Sequence, residues 1–210
     1  MQDIIIYGAG GFGREVNLLL RQINSHSPQW QVKGFCDDGK RAGELVDDLP
    51  VLGDMNYLKG RMGHALILAI ADPMVRKEIF NRIADFKLEF PALIHPRAEV
   101  DTTVNRIGKG SVITAGCCFT TGIDVGDFVI VNLSCTIGHD VRLGNFSSVM
   151  PGSNISGNVS VGECTLIGTG AKILQNLSLG SNARLGAGAV MTRSFGDNCL
   201  LKGIPARQKS

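Results

Sequence analysis

From residue 107 to residue 191 the chain reads, broken into sixes, IGKGSV ITAGCC FTTGID VGDFVI VNLSCT IGHDVR LGNFSS VMPGSN ISGNVS VGECTL IGTGAK ILQNLS LGSNAR LGAGAV M. The leading column is Ile107, Ile113, Phe119, Val125, Val131, Ile137, Leu143, Val149, Ile155, Val161, Ile167, Ile173, Leu179, Leu185 and Met191: fifteen apolar residues in one register. If about 30% of residues are suitably apolar, chance gives such a run on the order of 10⁻⁸ of the time. A period of six is neither helical nor that of a flat sheet. It is the signature of a hexapeptide β-helix, in which each six residues make one side of a coil.

A longer period runs over the first. Ile107, Val125, Leu143, Val161 and Leu179 lie 18 apart, and each is followed by glycine. Three hexads therefore make one coil. Four residues after the lead stands a small residue in most hexads: Ser111, Cys117, Cys135, Ser147, Ser153, Thr165, Ala171, Ala183, Ala189. The expected section is a triangle, with aliphatic residues inside, small residues where the chain nears its own corner, and glycine relieving strain at the turns. Pro91 to Asn105 fits the register poorly, so the first coil is expected out of step.

Upstream the period changes. Ile4–Tyr7 and Trp30–Phe35 read as strands, as does Ala65–Ile70. Residues 13–24 place Val16, Leu19, Leu20 and Ile23 at helical spacing. Residues 73–86 read as a second helix, with Asp72 as N-cap and Pro73 at its first position. Alternating strands and helices predict a small parallel sheet. The expected organisation is a Rossmann-like domain over 1–90 and a β-helix domain with a C-terminal tail over 91–210.

Composition agrees. The 210 residues include 27 glycines, are 44% hydrophobic and only 6% aromatic, as befits a core layered with Ile, Val and Leu. Glycine without a strict period of three excludes collagen. A net charge of +2 and few aromatics argue against a nucleic-acid binder. Residues 170–210 carry six bases (Lys172, Arg184, Arg193, Lys202, Arg207, Lys209) against one acid, Asp197, an end suited to an anionic ligand. No basic, apolar leader or long apolar run is evident, and the six cysteines form no C-x-x-C pair, so the expected compartment is the cytoplasm, with reduced thiols used as small apolar residues.

Two motifs carry chemistry. Gly8-Ala9-Gly10-Gly11-Phe12-Gly13 fits G-x-G-x-x-G between a strand and a helix, and Asp37 and Asp38 follow the second strand. Glycines let a backbone approach phosphate at a helix N-terminus, and an acid there suits ribose hydroxyls, so a nucleotide is implied. No hydride-transfer domain follows, which favours a nucleotide serving as a handle on a sugar over NAD. His139, in Gly138-His139-Asp140, is the only histidine within the hexads. It stands two residues after an inward-facing lead and should point outward, with Asp140 beside it to orient the imidazole for general-base work.

The whole chain resembles the hexapeptide-repeat sugar acetyltransferases with a small nucleotide-binding N-terminal domain, the sialic acid O-acetyltransferases and nucleotide-amino-sugar N-acetyltransferases. The matching stretches are G-A-G-G-F-G-R-E-V at 8–16, F-C-D-D at 35–38, L-I-H-P at 93–96, G-H-D at 138–140, P-G at 151–152, S-G-N-V at 156–159 and G-I-P-A-R at 203–207. The resemblance implies a left-handed β-helix, although ordinary parallel crossovers are right-handed. It implies acetyl transfer from acetyl-CoA to the amine of a nucleotide-linked 4-amino-4,6-dideoxy sugar for surface glycans, without a metal, in a homotrimer with active sites between subunits. His139 would be the base and Asp140 its partner. Gly10, Gly11, Phe12, Asp37, Asp38 and Asn132 would meet the nucleotide sugar. Gly157 would offer its N–H to the thioester carbonyl. Thr169, Gly186 and Ala187 would line the pantetheine groove, and Lys202 and Arg207 would meet the coenzyme A phosphates.

One departure stands out. Many members of the family that the chain resembles carry a second histidine nine residues after the first, on the cofactor side, where this chain has Ser148. A hydroxyl can hydrogen-bond but cannot act as a base near neutrality. O-acetylation of sialic acid or another sugar therefore stays open, as does a non-catalytic β-helix that binds or assembles. The carbonic anhydrase built on this solenoid needs three histidines for zinc, and the hexads hold only His139.

Overall fold

The computed structural model describes residues 1–209 and divides the chain into two compact units. One comprises Met1–Ala71 and Val75–Pro91; the other comprises Asp72–Met74 and the chain from Ala92 onward.

The first unit is built on β1 (Gln2–Tyr7), α1 (Gly11–His26), β2 (Trp30–Cys36), β3 (Leu45–Val46), β4 (Leu49–Gly53), β5 (Ala65–Leu68) and α2 (Pro73–Ile83). The strand order is β3-β4-β2-β1-β5. The sheet is parallel except for the β3–β4 hairpin. Ile4, Ile5 and Ile6 at its centre are at most 2% exposed, as a parallel strand covered on both faces requires. Asp72 begins α2 as expected, its Oδ1 accepting the Met74 N–H at 3.0 Å. The hairpin was not legible in the sequence. Its two turn residues, Asp47 and Asp48, both take positive φ (47° and 65°), the conformation of a type I′ turn, without the usual glycine.

The second unit is a parallel β-helix. Its three faces are ladders of two-residue strands, each ending on a lead residue. Asp124–Val125 pairs with Arg142–Leu143, Ile130–Val131 with Ser148–Val149, and Thr136–Ile137 with Asn154–Ile155, every step being 18 residues. The first coil departs from this count. Ile94 pairs with Ile113, 19 residues on, so one residue is inserted. Asn105 absorbs the insertion. Its Nδ2 donates to the Asp101 and Thr120 carbonyls, both at 3.0 Å, and its Oδ1 accepts the Ile123 N–H at 2.9 Å. The last coil is shortened by two, since Leu201 pairs with Leu185, and Arg207–Gln208 turn back antiparallel to close that end.

The corners explain the small residues and correct two expectations. Ser111, Ser153 and Thr165 donate their hydroxyls to the carbonyls of Gly126, Gly168 and Gly180, each 15 residues on, at 2.7 to 3.0 Å. Cys117 and Cys135 do the same with their thiols toward Asn132 and Met150, both at 3.2 Å. These two cysteines are therefore corner donors as well as space-fillers. The third corner carries no small column. There the fourth position after the lead is Ile123, Val141, Val159, Leu177 and Phe195. That corner is propped open by branched and aromatic residues, and it is the one that carries His139.

The glycines also divide. The fourth residue of every hexad from Gly110 to Gly188 has φ between 54° and 72°. Eight of these are not glycine, among them Phe128 and Phe146, whose rings stack at 5.0 Å with 6° between planes. The glycine directly after the lead does not relieve strain of that kind. At Gly144 a Cβ would lie 2.6 Å from the Glu163 nitrogen of the next coil. That column is glycine because stacked backbones need its space. Gly144→Ala should destabilise the protein by about 2 kcal/mol through overpacking, read as a lowered urea midpoint with an unchanged slope.

Candidate functional site

The His139 corner is built by the hexad Ile137–Arg142 and the coil that follows it. Ile137 is 1% exposed and anchors the turn inside. His139 then faces outward, and Asp140 takes φ 60°. Its carboxylate Oδ2 lies 2.8 Å from His139 Nδ1. The side chains are 63% and 65% exposed, so both are open to a ligand. An imidazole protonated at Nδ1 donates to Asp140, which leaves Nε2, the ring atom nearest Gly157, as a proton acceptor.

Eighteen residues on, Gly157 occupies the same place in the next coil. A Cβ there would fall 2.6 to 2.7 Å from the imidazole carbons Cε1 and Cδ2. The ring therefore lies across the Gly157 Cα. The equivalent position at another corner carries acceptors: the Lys109 and Asp127 N–H groups donate to Asp127 Oδ1 (3.1 Å) and Asn145 Oδ1 (2.9 Å). At the His139 corner this ladder is missing, because Gly157 has no side chain to receive the His139 N–H. Among the described residues the Gly157 N–H has no acceptor either. One glycine thus supplies a shelf for the base and a free donor beside it, the elements of an oxyanion site.

Asn132 lies on another face, buried, its Oδ1 accepting the Leu133 N–H at 2.7 Å and the Thr114 hydroxyl at 3.4 Å. Ser148 is fully buried in the strand that pairs with Ile130–Val131. Neither is placed beside the His139 imidazole within this chain.

Thr169, Gly186 and Ala187 share one corner edge, with Thr169 and Ala187 exposed in consecutive coils and the Gly188 N–H donating to the Thr169 carbonyl at 2.8 Å. Lys202 lies next to this edge, its side chain bounding the space over Gly186. Lys202 also pairs directly across the closing hairpin from Arg207. Like charges in that position are destabilising unless an anion bridges them. Arg207 and Arg193 further line a pocket of about 230 Å³ with Thr192 and Pro205. The sequence flagged this end by charge, and the fold brings two of those charges, Lys202 and Arg207, side by side.

In the first unit, Gly10 and Gly11 are exposed at the start of α1, with Phe12 half-buried in its first turn. Asp37 ties this loop to the end of β2. Its Oδ2 accepts the Ala9 N–H at 2.8 Å and its Oδ1 accepts the Gly39 N–H at 2.9 Å. Asp38 accepts the Met55 N–H at 3.0 Å and faces Arg82 at 3.6 Å. Both acids line a crevice of about 270 Å³ beyond the ends of β1 and β2, Asp37 committed to the loop N–H groups and Asp38 to Met55 and Arg82. Open α/β sheets bind ligands at such places. The crevice wall on α2, which includes Glu78, Ile79 and Arg82, was missed by sequence reasoning. Their spacing looked like that of any amphipathic helix, and only the sheet order shows what they face.

Residues 3–83 match the family model described as the PglD N-terminal domain. The full chain is similar to solved structures. The perosamine N-acetyltransferase of Caulobacter crescentus, as a histidine-to-asparagine variant in complex with CoA and GDP-perosamine, is 31% identical, with a TM-score of 0.91 over 100% of this chain and 98% of that one. The acetyltransferase domain of PglB from Neisseria gonorrhoeae is 31% identical with a TM-score of 0.89, and WeeI from Acinetobacter baumannii is 30% identical with a TM-score of 0.89, each over 100% of both chains. No curated protein matches the sequence. The chain belongs to the PglD-like family of sugar acetyltransferases.

Its β-helix is accordingly left-handed. Among the described residues no group of three or more His, Cys, Asp or Glu side chains is placed to hold a metal ion, and no helix is long and apolar enough to cross a membrane. For this PglD-like protein the shelf at residue 157 gives a sharp expectation. Gly157→Ala should push the imidazole off its seat and lower kcat by about 10²-fold, the cost of a misplacement near 1 Å, while the urea midpoint stays close to that of the parent.

Proposed function

We propose that this protein transfers the acetyl group of acetyl-CoA to the amine of a nucleotide-linked 4-amino sugar, with His139 as general base. The observation that carries this reading is the His139–Asp140 pair seated over Gly157, in a chain alike over its whole length to an N-acetyltransferase solved with CoA and GDP-perosamine.

The chemistry follows from the positions. The neutral sugar amine attacks the thioester carbonyl carbon, and His139 Nε2 takes one N–H proton as the C–N bond forms. Asp140, hydrogen-bonded at Nδ1, stabilises the imidazolium. The carbonyl oxygen becomes an oxyanion facing the free Gly157 N–H. Collapse breaks the C–S bond, the leaving thiolate recovers the proton from Nε2, and an amide and free thiol result. No covalent enzyme intermediate is required. The exposed edge at Thr169, Gly186 and Ala187 fits the pantetheine arm, and Lys202 with Arg207 fits the phosphates as their missing counterions.

The nucleotide is assigned to the glycine loop and to Asp38. The working assembly is a homotrimer that brings sugar and thioester together between subunits, in the cytoplasm where both substrates are made. Asn132 and Ser148 would act through that assembly. O-acetylation of a sugar such as sialic acid is the second reading, favoured by Ser148 in place of the family's second histidine, since a retained base suffices for an alcohol as well.

His139→Ala should lower kcat by about 10²–10⁴-fold with little change in either KM, measured as thiol release from acetyl-CoA with a nucleotide 4-amino sugar. Full activity in that variant would remove His139 from the mechanism. Sedimentation of the wild-type protein should give three times the chain mass.

A further inference from the structure

The crevice at the strand ends has a chemistry of its own. One apolar wall is made by Val75 and Ile79, one turn apart on α2, and Ile70 adds to the apolar lining. Glu78 and Arg82, also one turn apart, project from the same helix face. Glu78 makes no hydrogen bond or ion pair among the described residues, so its carboxylate is an uncommitted acceptor at the crevice. Arg82 faces Asp38 with one of its nitrogens at 3.6 Å and has further donors to offer. Tyr7 closes the floor. It is 2% exposed, and burial, then the neighbouring Asp38 carboxylate through hydrogen bonding and charge, raise the phenol above its ordinary pKa. The hydroxyl therefore stays protonated.

This set reads a nucleobase by its edge. A planar base can lie against the aliphatic face that Val75 and Ile79 present together. A carboxylate accepts two N–H donors side by side, and an arginine one helical turn away donates to adjacent acceptors. Guanine alone presents that order around its rim: N2–H and N1–H as donors on one edge, then O6 and N7 as acceptors on the next, the pair that arginine recognises bidentately. Uracil and thymine present one N–H flanked by two carbonyls, which a carboxylate repels. Adenine and cytosine each place one donor next to an acceptor.

We infer that the crevice formed by Val75, Glu78, Ile79 and Arg82 against Asp38 is a guanine pocket, and that the sugar donor handle of this enzyme is a guanosine diphosphate, with Glu78 as the residue that sets the base preference. This rests on the acetyltransferase reading for the sugar, but not on it for the nucleotide.

The test is calorimetric titration of the full-length protein with GDP, UDP, dTDP and CMP. GDP should bind at least about 10-fold more tightly than the other three. Glu78→Gln should weaken GDP by about 10-fold and leave UDP unchanged. Glu78→Asp, which keeps the acceptor on a shorter arm, should recover part of the loss. Acetyl-CoA affinity should be the same in all three proteins, since those phosphates meet the other unit. Tighter binding of UDP, dTDP or CMP, no binding of any nucleotide, or an equal loss for GDP and UDP in Glu78→Gln would each overturn the guanine assignment. Thiol release with a UDP- or dTDP-linked amino sugar but not a GDP-linked one would overturn it while leaving the acetyltransferase reading intact. GDP binding with no thiol release from any amino sugar would do the reverse.

Discussion

The structure depends on one constraint: backbone ladders that pair residue n with residue n+18 on three faces. Parallel, in-register pairing places every residue directly beneath its counterpart one coil on. Each position in the hexad is then a column, and each column has one steric and hydrogen-bonding rule. The lead must be apolar because it points inward. The residue after it is glycine wherever the neighbouring backbone takes its Cβ space, as at Gly144. The fourth residue bends left-handed whatever its type. Corner hydroxyls and thiols donate to the carbonyl 15 residues on, as Ser111 does to Gly126 and Cys117 to Asn132.

The active corner is made by departing from these rules in a few columns. Val141 and Val159 fill the interior where two other corners hold small residues. The outer column that elsewhere supplies Asp127 and Asn145 as acceptors supplies an imidazole at 139 and nothing at 157. The unobstructed ring follows from the missing side chain at 157, and the Gly157 N–H is free because no side chain at 175 accepts it among the described residues. The same stacking that makes the solenoid rigid holds the base and the donor in fixed register, the kind of preorganisation that acyl transfer needs.

The solenoid was legible because its period is set by geometry and repeated fifteen times. The corner chemistry was only half legible. Small residues at two corners could be seen in the sequence, but not that Cys117, Cys135 and Ser153 are donors, because the carbonyls they reach lie 15 residues away. The insertion at Asn105 showed itself only as a lapse in the pattern. In the first unit the glycine loop and the acids at 37 and 38 were visible, yet both were read alike. Both line the crevice, but the structure separates Asp37, which holds the Ala9 and Gly39 N–H groups, from Asp38, which faces Arg82. Glu78 and Arg82 gave no local signal, since their meaning comes from the fold, which brings α2 to the crevice that Asp38 lines just after β2.

The central claim is that the imidazole over Gly157 is where the amine and the thioester meet. A crystal structure of the wild-type protein with CoA and a nucleotide 4-amino sugar tests it most directly. The account predicts the amine nitrogen within about 3 Å of His139 Nε2, with the coenzyme A sulfur near the Gly157 N–H. An amine bound away from that imidazole, with both substrates well ordered, would contradict it.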